Sequence, residues 1–211
     1  MKIKPEELVD HNFVLLDQLD HKDLVPFIRM YLKKRTKYSR VYYLINALLL
    51  GLTLYTFAHG SHEFGYETGS QFTHFSYGIA IAFMLLPFHE FVHVLAYRLK
   101  GATKATYGAN LKKFYFMALA DQFVANKQEF KFIALAPFLI INSALLFLLI
   151  ICHPEWKITV LGTLLTHISM CSGDFGLLSY FEYHKHKNVV TFDDTNNKVS
   201  YFYGQLPEVN K

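Results

Sequence analysis

Residues 74–99 read HFSYGIAIAFMLLPFHEFVHVLAYRL, and the architecture turns on this stretch. From His74 to His89 it contains no Asp, Glu, Lys or Arg. Its apolar residues therefore cover every face of a helix, where a half-buried soluble helix would show them at period 3.6. At 1.5 Å per residue it is long enough to cross roughly 30 Å of hydrocarbon. Within it stand His89, Glu90 and His93, three polar groups in five positions. An ionisable group at mid-bilayer costs about 2.5–3.5 kcal/mol on insertion scales, so such residues mark function and need a compensating partner.

Three further blocks of the same kind flank this one: Val41–Ala58 before it, Phe130–Cys152 and Ile158–Phe181 after it. The composition agrees with a bilayer protein, being 52% hydrophobic with 20 Phe and 14 Tyr. Basic residues gather between the blocks. Of the 21 Lys and Arg, only Lys157 falls outside the N-terminal forty residues, the loop from Arg98 to Lys131 and the tail. The positive-inside rule then places both termini in the cytoplasm. The run Lys33, Lys34, Arg35, Lys37, Arg40 precedes the first block and reads as a topology signal, not as a nucleic-acid contact. The N-terminus lacks the short apolar core and small-residue cleavage site of a signal peptide, so the first span is expected to act as its own insertion signal. A bacterial cytoplasmic membrane is the simplest location for such a chain.

The expected fold is mainly α and polytopic, with four transmembrane helices and small cytoplasmic β-hairpins. Residues 1–40 form a cytoplasmic or interfacial segment, 41–181 the four-helix core and 182–211 a cytoplasmic tail. Asp23 and Pro26 suggest a helix start, with Phe27, Met30 and Tyr31 resting on the membrane surface. Between Lys104 and Asp121 weak alternation around Gly108-Ala-Asn-Leu111 suggests a hairpin. The tail has two β-prone runs flanking Asp194, Thr195, Asn196 and Asn197, a clearer hairpin. Cys152 and Cys171 lie in apolar blocks without metal-ligand spacing and read as packing residues.

His89-Glu90-x-x-His93 puts two imidazoles on one helical face, able to share a zinc ion, with a carboxylate beside them placed to take a proton from water. Two histidines leave a zinc site one protein ligand short. Asp174 in the fourth block is a candidate, the alternative being a carboxylate tied to a kink between Gly173 and Gly176. With the orientation above, His89 and Asp174 both lie roughly 10–15 Å below the cytoplasmic surface. His167, seven residues before Asp174, is an auxiliary candidate as ligand or proton relay, or a packing residue. The rivals to a metal-dependent hydrolase are a non-catalytic metal-binding scaffold or transport component, and a metal-free cluster joining helices.

HEFVH in a membrane helix, a later helix with Ala136-Pro137-Phe138-Leu139, and Ser172-Gly173-Asp174 in the last block resemble the DUF3267 family of zincins, which is similar to site-2 proteases. The resemblance runs from about Pro87 to the tail. It implies Zn2+ as cofactor, His89, His93 and Asp174 as ligands, Glu90 as the catalytic base, and a transmembrane protein or peptide as substrate within the lipid bilayer. Site-2 proteases place a glycine directly after the ligand aspartate, where this chain has Phe175. Asn142 in the third block is either a donor to the reaction's oxyanion or an amide bonding a neighbouring helix.

Overall fold

A computed structural model describes residues 3–63, 67, 69–110 and 115–205. Helix α1 spans Leu24–Leu32, α2 Lys37–Glu63, α3 Ser70–Leu99, α4 Lys127–Ile151, α5 Lys157–Met170 and α6 Ser172–Tyr183. The strands among the described residues are β1 (Phe13–Asp20), β2 (Ala105–Asn110), β3 (Tyr115–Ala120), β4 (Ala125–Asn126), β5 (Val190–Asp194) and β6 (Val199–Gln205). Three helices, α2, α3 and α4, are long and apolar enough to cross a membrane. Most of their apolar surface faces outward, as Leu48, Met84, Phe147 and Ile150 show at 63–78% exposure. In water so much exposed apolar surface would be a liability, and against lipid it is the expected exterior.

The fourth expected span, Ile158–Phe181, is not one helix. It breaks at Cys171 into α5 and α6, and neither piece reaches the length of a crossing. Cys171 leaves helical geometry at ψ 6°. The Ser172-Gly173 pair follows at once, a common cause of a sharp kink.

The chain divides into two units by its contacts. One comprises Arg40–His89 and Pro137–Ser172. Its centre is α5, buried from Ile158 to Leu164 and again at His167 and Ile168. A helix apolar on all sides belongs in the middle of a bundle. Leu49 of α2 packs there on Val160, Leu164 and Ile168, with Phe138, Leu145 and Leu149 of α4 against them. Gly78 of α3 lets the backbones of α3 and α5 touch: a Cβ there would run into the Thr159 carbonyl oxygen, Thr163 N and Gly162 Cα.

The other unit comprises Met1–Ser39, Glu90–Ala136 and Gly173–Lys211. The expected tail hairpin is present as β5 and β6, and lies within a four-stranded antiparallel sheet of order β1-β6-β5-β4. Strand β1 has no counterpart in the sequence reading. Its register shifts between Leu15 and Asp17, and this bulge breaks the period-2 alternation that would have revealed it. Helix α1 starts where Asp23 and Pro26 suggest. Phe27 and Tyr31, expected on the membrane surface, instead pack on Tyr180 of α6, Phe27 stacked and Tyr31 edge-on, and Phe27 also stacks with Phe202 of β6. Only Met30 of that trio is exposed. The hairpin between Lys104 and Asp121 is β2 paired with β3. Gly108, Ala109 and Asn110 belong to β2 itself, and Leu111 of the expected turn lies outside the described residues.

Candidate metal centre

Helix α3 runs through Pro87, which has no amide hydrogen and crowds the carbonyl four residues back. The motif starts two residues later. Beyond Pro87 the helix sorts by face. His89, Glu90, Val92, His93, Ala96 and Tyr97 are buried, while Phe88, Phe91, Leu95 and Leu99 are 40–76% exposed. His89 and His93 stand four residues apart on the buried face, where side chains lie one above the other. The boundary between the two units passes between His89 and Glu90, inside this continuous helix. What relates the two histidines is therefore the helix itself.

The Nδ1 atom of His93 lies 2.9 Å from the carbonyl oxygen of Ile133 in α4. A carbonyl only accepts, so Nδ1–H donates and the basic lone pair sits on Nε2. Nε2 lies 3.1 Å from Oδ1 of Asp174 in α6. A lone pair facing a carboxyl oxygen at that distance calls for a proton on one of the two atoms or a metal ion between them. Within the continuous helix, His89 lies one turn before His93 on the same face. Neutral imidazoles and a carboxylate are common zinc ligands, and three protein ligands leave the open position that catalytic zinc sites keep. The Ile133 carbonyl on the far nitrogen of His93 is the outer support such ligands use. This donor set fits zinc.

His167 and Asn142 come together with His89 in the other unit. His89 Nδ1 lies 3.1 Å from His167 Nε2, and His167 Nδ1 lies 2.9 Å from Asn142 Oδ1. Asn142 Nδ2 donates to the Phe138 carbonyl at 2.7 Å, so its amide is turned along its own helix. Cys171 donates its thiol hydrogen to the His167 carbonyl at 3.3 Å. Its sulfur also forms a potential ligand group with His89 and His167, all three ligand atoms within 4.8 Å. The reading of Cys171 as packing alone missed this, although four residues from His167 is one helical turn. The Ile133 carbonyl carried no sequence signal, since any residue supplies one.

His89, Glu90 and His93 thus lie buried on one helix, and the second histidine meets Asp174. The chain belongs to the DUF3267 family, described as "Putative zincin peptidase", which it matches over residues 82–188. Membership implies zinc and metallopeptidase activity, and the three long apolar helices are compatible with a membrane location. Neither a curated protein nor a solved structure matches the chain.

Proposed function

We propose that this protein is a zinc-dependent intramembrane endopeptidase of the site-2-protease kind, hydrolysing peptide bonds of membrane-embedded substrates near the cytoplasmic side. The observation that carries the reading is the 3.1 Å approach of Asp174 to His93, which brings a carboxylate from a distant part of the sequence to a His-Glu-x-x-His helix of spanning length. His89, His93 and Asp174 would hold the ion. Zinc, when bound, supplies a Lewis acid for the scissile carbonyl and acidifies water. Glu90, buried on the same turn of α3 as His89, takes the proton from water and delivers it to the departing amine.

A helical substrate must unwind before its peptide bonds can be attacked. The two-stranded β2–β3 sheet offers edges on which an extended segment can pair as an added strand. The basic segments face the cytoplasm in this reading, and residues 158–181 make the fourth crossing.

The test is the zinc content of the detergent-purified chain, wild type beside His93→Ala, Asp174→Ala and Glu90→Gln. About one zinc per chain is expected in wild type and in Glu90→Gln, with loss in the other two variants. Single-span peptides reconstituted with each protein should be cut by wild type only, products being read by mass. A wild type that takes up no supplied zinc would sink the proposal. Undiminished cleavage by Glu90→Gln would remove the glutamate from its role.

A further inference from the structure

A chain of hydrogen bonds leads away from His89, and its direction is set at the far end. There the main-chain carbonyl of Phe138 only accepts, so Asn142 must turn its NH2 toward it at 2.7 Å. That leaves the amide oxygen of Asn142 facing His167 Nδ1 at 2.9 Å, so His167 carries its proton on Nδ1. In the neutral ring Nε2 of His167 is then an acceptor, 3.1 Å from His89 Nδ1, which donates. His89 is thereby held with its proton on Nδ1 and its basic lone pair on Nε2. Asn142 is 4% exposed and His167 is 0% exposed, so bulk water does not compete for these bonds.

We infer that Asn142 and His167 are positioning residues that lock His89 in the tautomer able to ligate a metal through Nε2. The inference rests on the zinc reading above. His93 reaches the same state in one step, from the Ile133 carbonyl. The two ligand histidines thus present the same nitrogen by different routes, one through a backbone acceptor and one relayed through two side chains. The relay carries no net charge, so it orients His89 without placing a further anion in an apolar helix bundle. It also makes His167 sensitive to polarity. A residue at 167 that donates toward His89 would move the proton of His89 to Nε2 and block the ligand atom.

The test is zinc affinity of the full-length protein in detergent, measured by competition with a chelator. His167→Gln places a carbonyl oxygen near the position of the lost Nε2, so it keeps an acceptor for His89 and is expected to bind zinc as wild type does. His167→Leu fills the space but accepts nothing, and should weaken zinc binding by about 10–100-fold, the usual cost of losing an outer-shell partner. Asn142→Leu, which frees the tautomer of His167, should lose affinity in the same direction. It reads the chain from its other end should His167→Leu fail to fold. A role in packing alone predicts equal affinity for Gln and Leu at position 167, and that result would overturn the inference. Wild-type binding that is lost in His93→Ala yet unchanged in all three of these variants overturns the tautomer lock and leaves the zinc site standing. Absence of zinc from the wild type overturns both.

Discussion

Replacing Gly78 by alanine tests how α3 is held against α5. The new Cβ would meet the Thr159 carbonyl oxygen, Thr163 N at 2.8 Å and Gly162 Cα at 2.9 Å, where ordinary contacts begin at 3.4 Å. All three are backbone atoms and cannot rotate aside. The helices must separate, by at least 0.5 Å for Gly162 Cα and 0.6 Å for Thr163 N (3.4 less 2.9, and 3.4 less 2.8). A gap of about 0.5–1 Å forfeits roughly a quarter to a half of each dispersion contact along the seam. Such overpacking costs about 1–3 kcal/mol, against roughly 0.5–1 kcal/mol gained from replacing glycine within a helix. The net effect lies between about zero and 2.5 kcal/mol of destabilisation, always below Gly51→Ala, which gains without the overpacking cost. Gly51 in α2 is the control, since a Cβ there meets nothing within 4 Å, and Gly51→Ala should be neutral or mildly stabilising. Gly162→Ala should fall between, because its Cβ would press on the Phe75 ring and carbonyl at 3.0 Å, and the ring can yield. Unfolding in mixed micelles can be followed through the sole tryptophan, Trp156, which lies edge-on to His74 of α3. If Gly78→Ala unfolds at the same denaturant fraction as Gly51→Ala, the close approach of the two backbones is refuted.

In the unit holding the sheet, Tyr180 donates its hydroxyl hydrogen to Asp17 Oδ2 at 2.7 Å and joins α6 to β1. Tyr180→Phe removes a hydrogen bond to a charged group and should cost about 1.5–3 kcal/mol, read as a lower melting temperature. Asp193 accepts from Ser200 at 2.6 Å, yet burial raises its carboxyl from 3.8 to about 6. The folded state thus holds this proton more tightly than the unfolded chain. The stability it contributes is complete below about pH 4 and is lost as pH rises through about 6. Asp193→Asn should therefore gain on wild type as pH is raised across that window, measured as the difference in melting temperature. His21, also bonded to Ser200, is lowered by burial and acts in the opposite sense, losing stability as pH falls below 6.5. It is common to both proteins, so their difference isolates Asp193. A pH-independent difference would refute the burial effect.

Long apolar blocks were legible because in a bilayer every backbone group must be satisfied within the helix, and lipid asks only that the exterior be apolar. The spacing of His89 and His93 was legible for a similar reason, since four residues is one turn in any helix. The tail hairpin announced itself by polar turn residues between two β-prone runs. These properties are local, and a linear pattern carries them whole.

Other features depended on what packs against what. Strand β1 hides behind a bulge, and its assignment comes from pairing with β6, almost the full length of the chain away. Phe27 and Tyr31 look like membrane anchors in isolation, and aromatic packing on Tyr180 encloses them. The break at Cys171 divides an apolar run that hydropathy treats as continuous, because hydropathy averages over the backbone angle that makes the kink. Matching depth put Asp174 forward as a partner for the histidines, but the atoms that meet, His93 Nε2 with Asp174 Oδ1 and His93 Nδ1 with the Ile133 carbonyl, follow from packing alone. Nor does any pattern reveal the direction of hydrogen bonding from Phe138 to His89, since a tautomer is fixed by which atoms face each other. Hydropathy and helical spacing thus determine which segments can form helices long and apolar enough to cross a membrane, and which of them bears the motif. Tertiary structure alone decides what each polar group there is bonded to, and in a low-dielectric interior those partners set its chemistry.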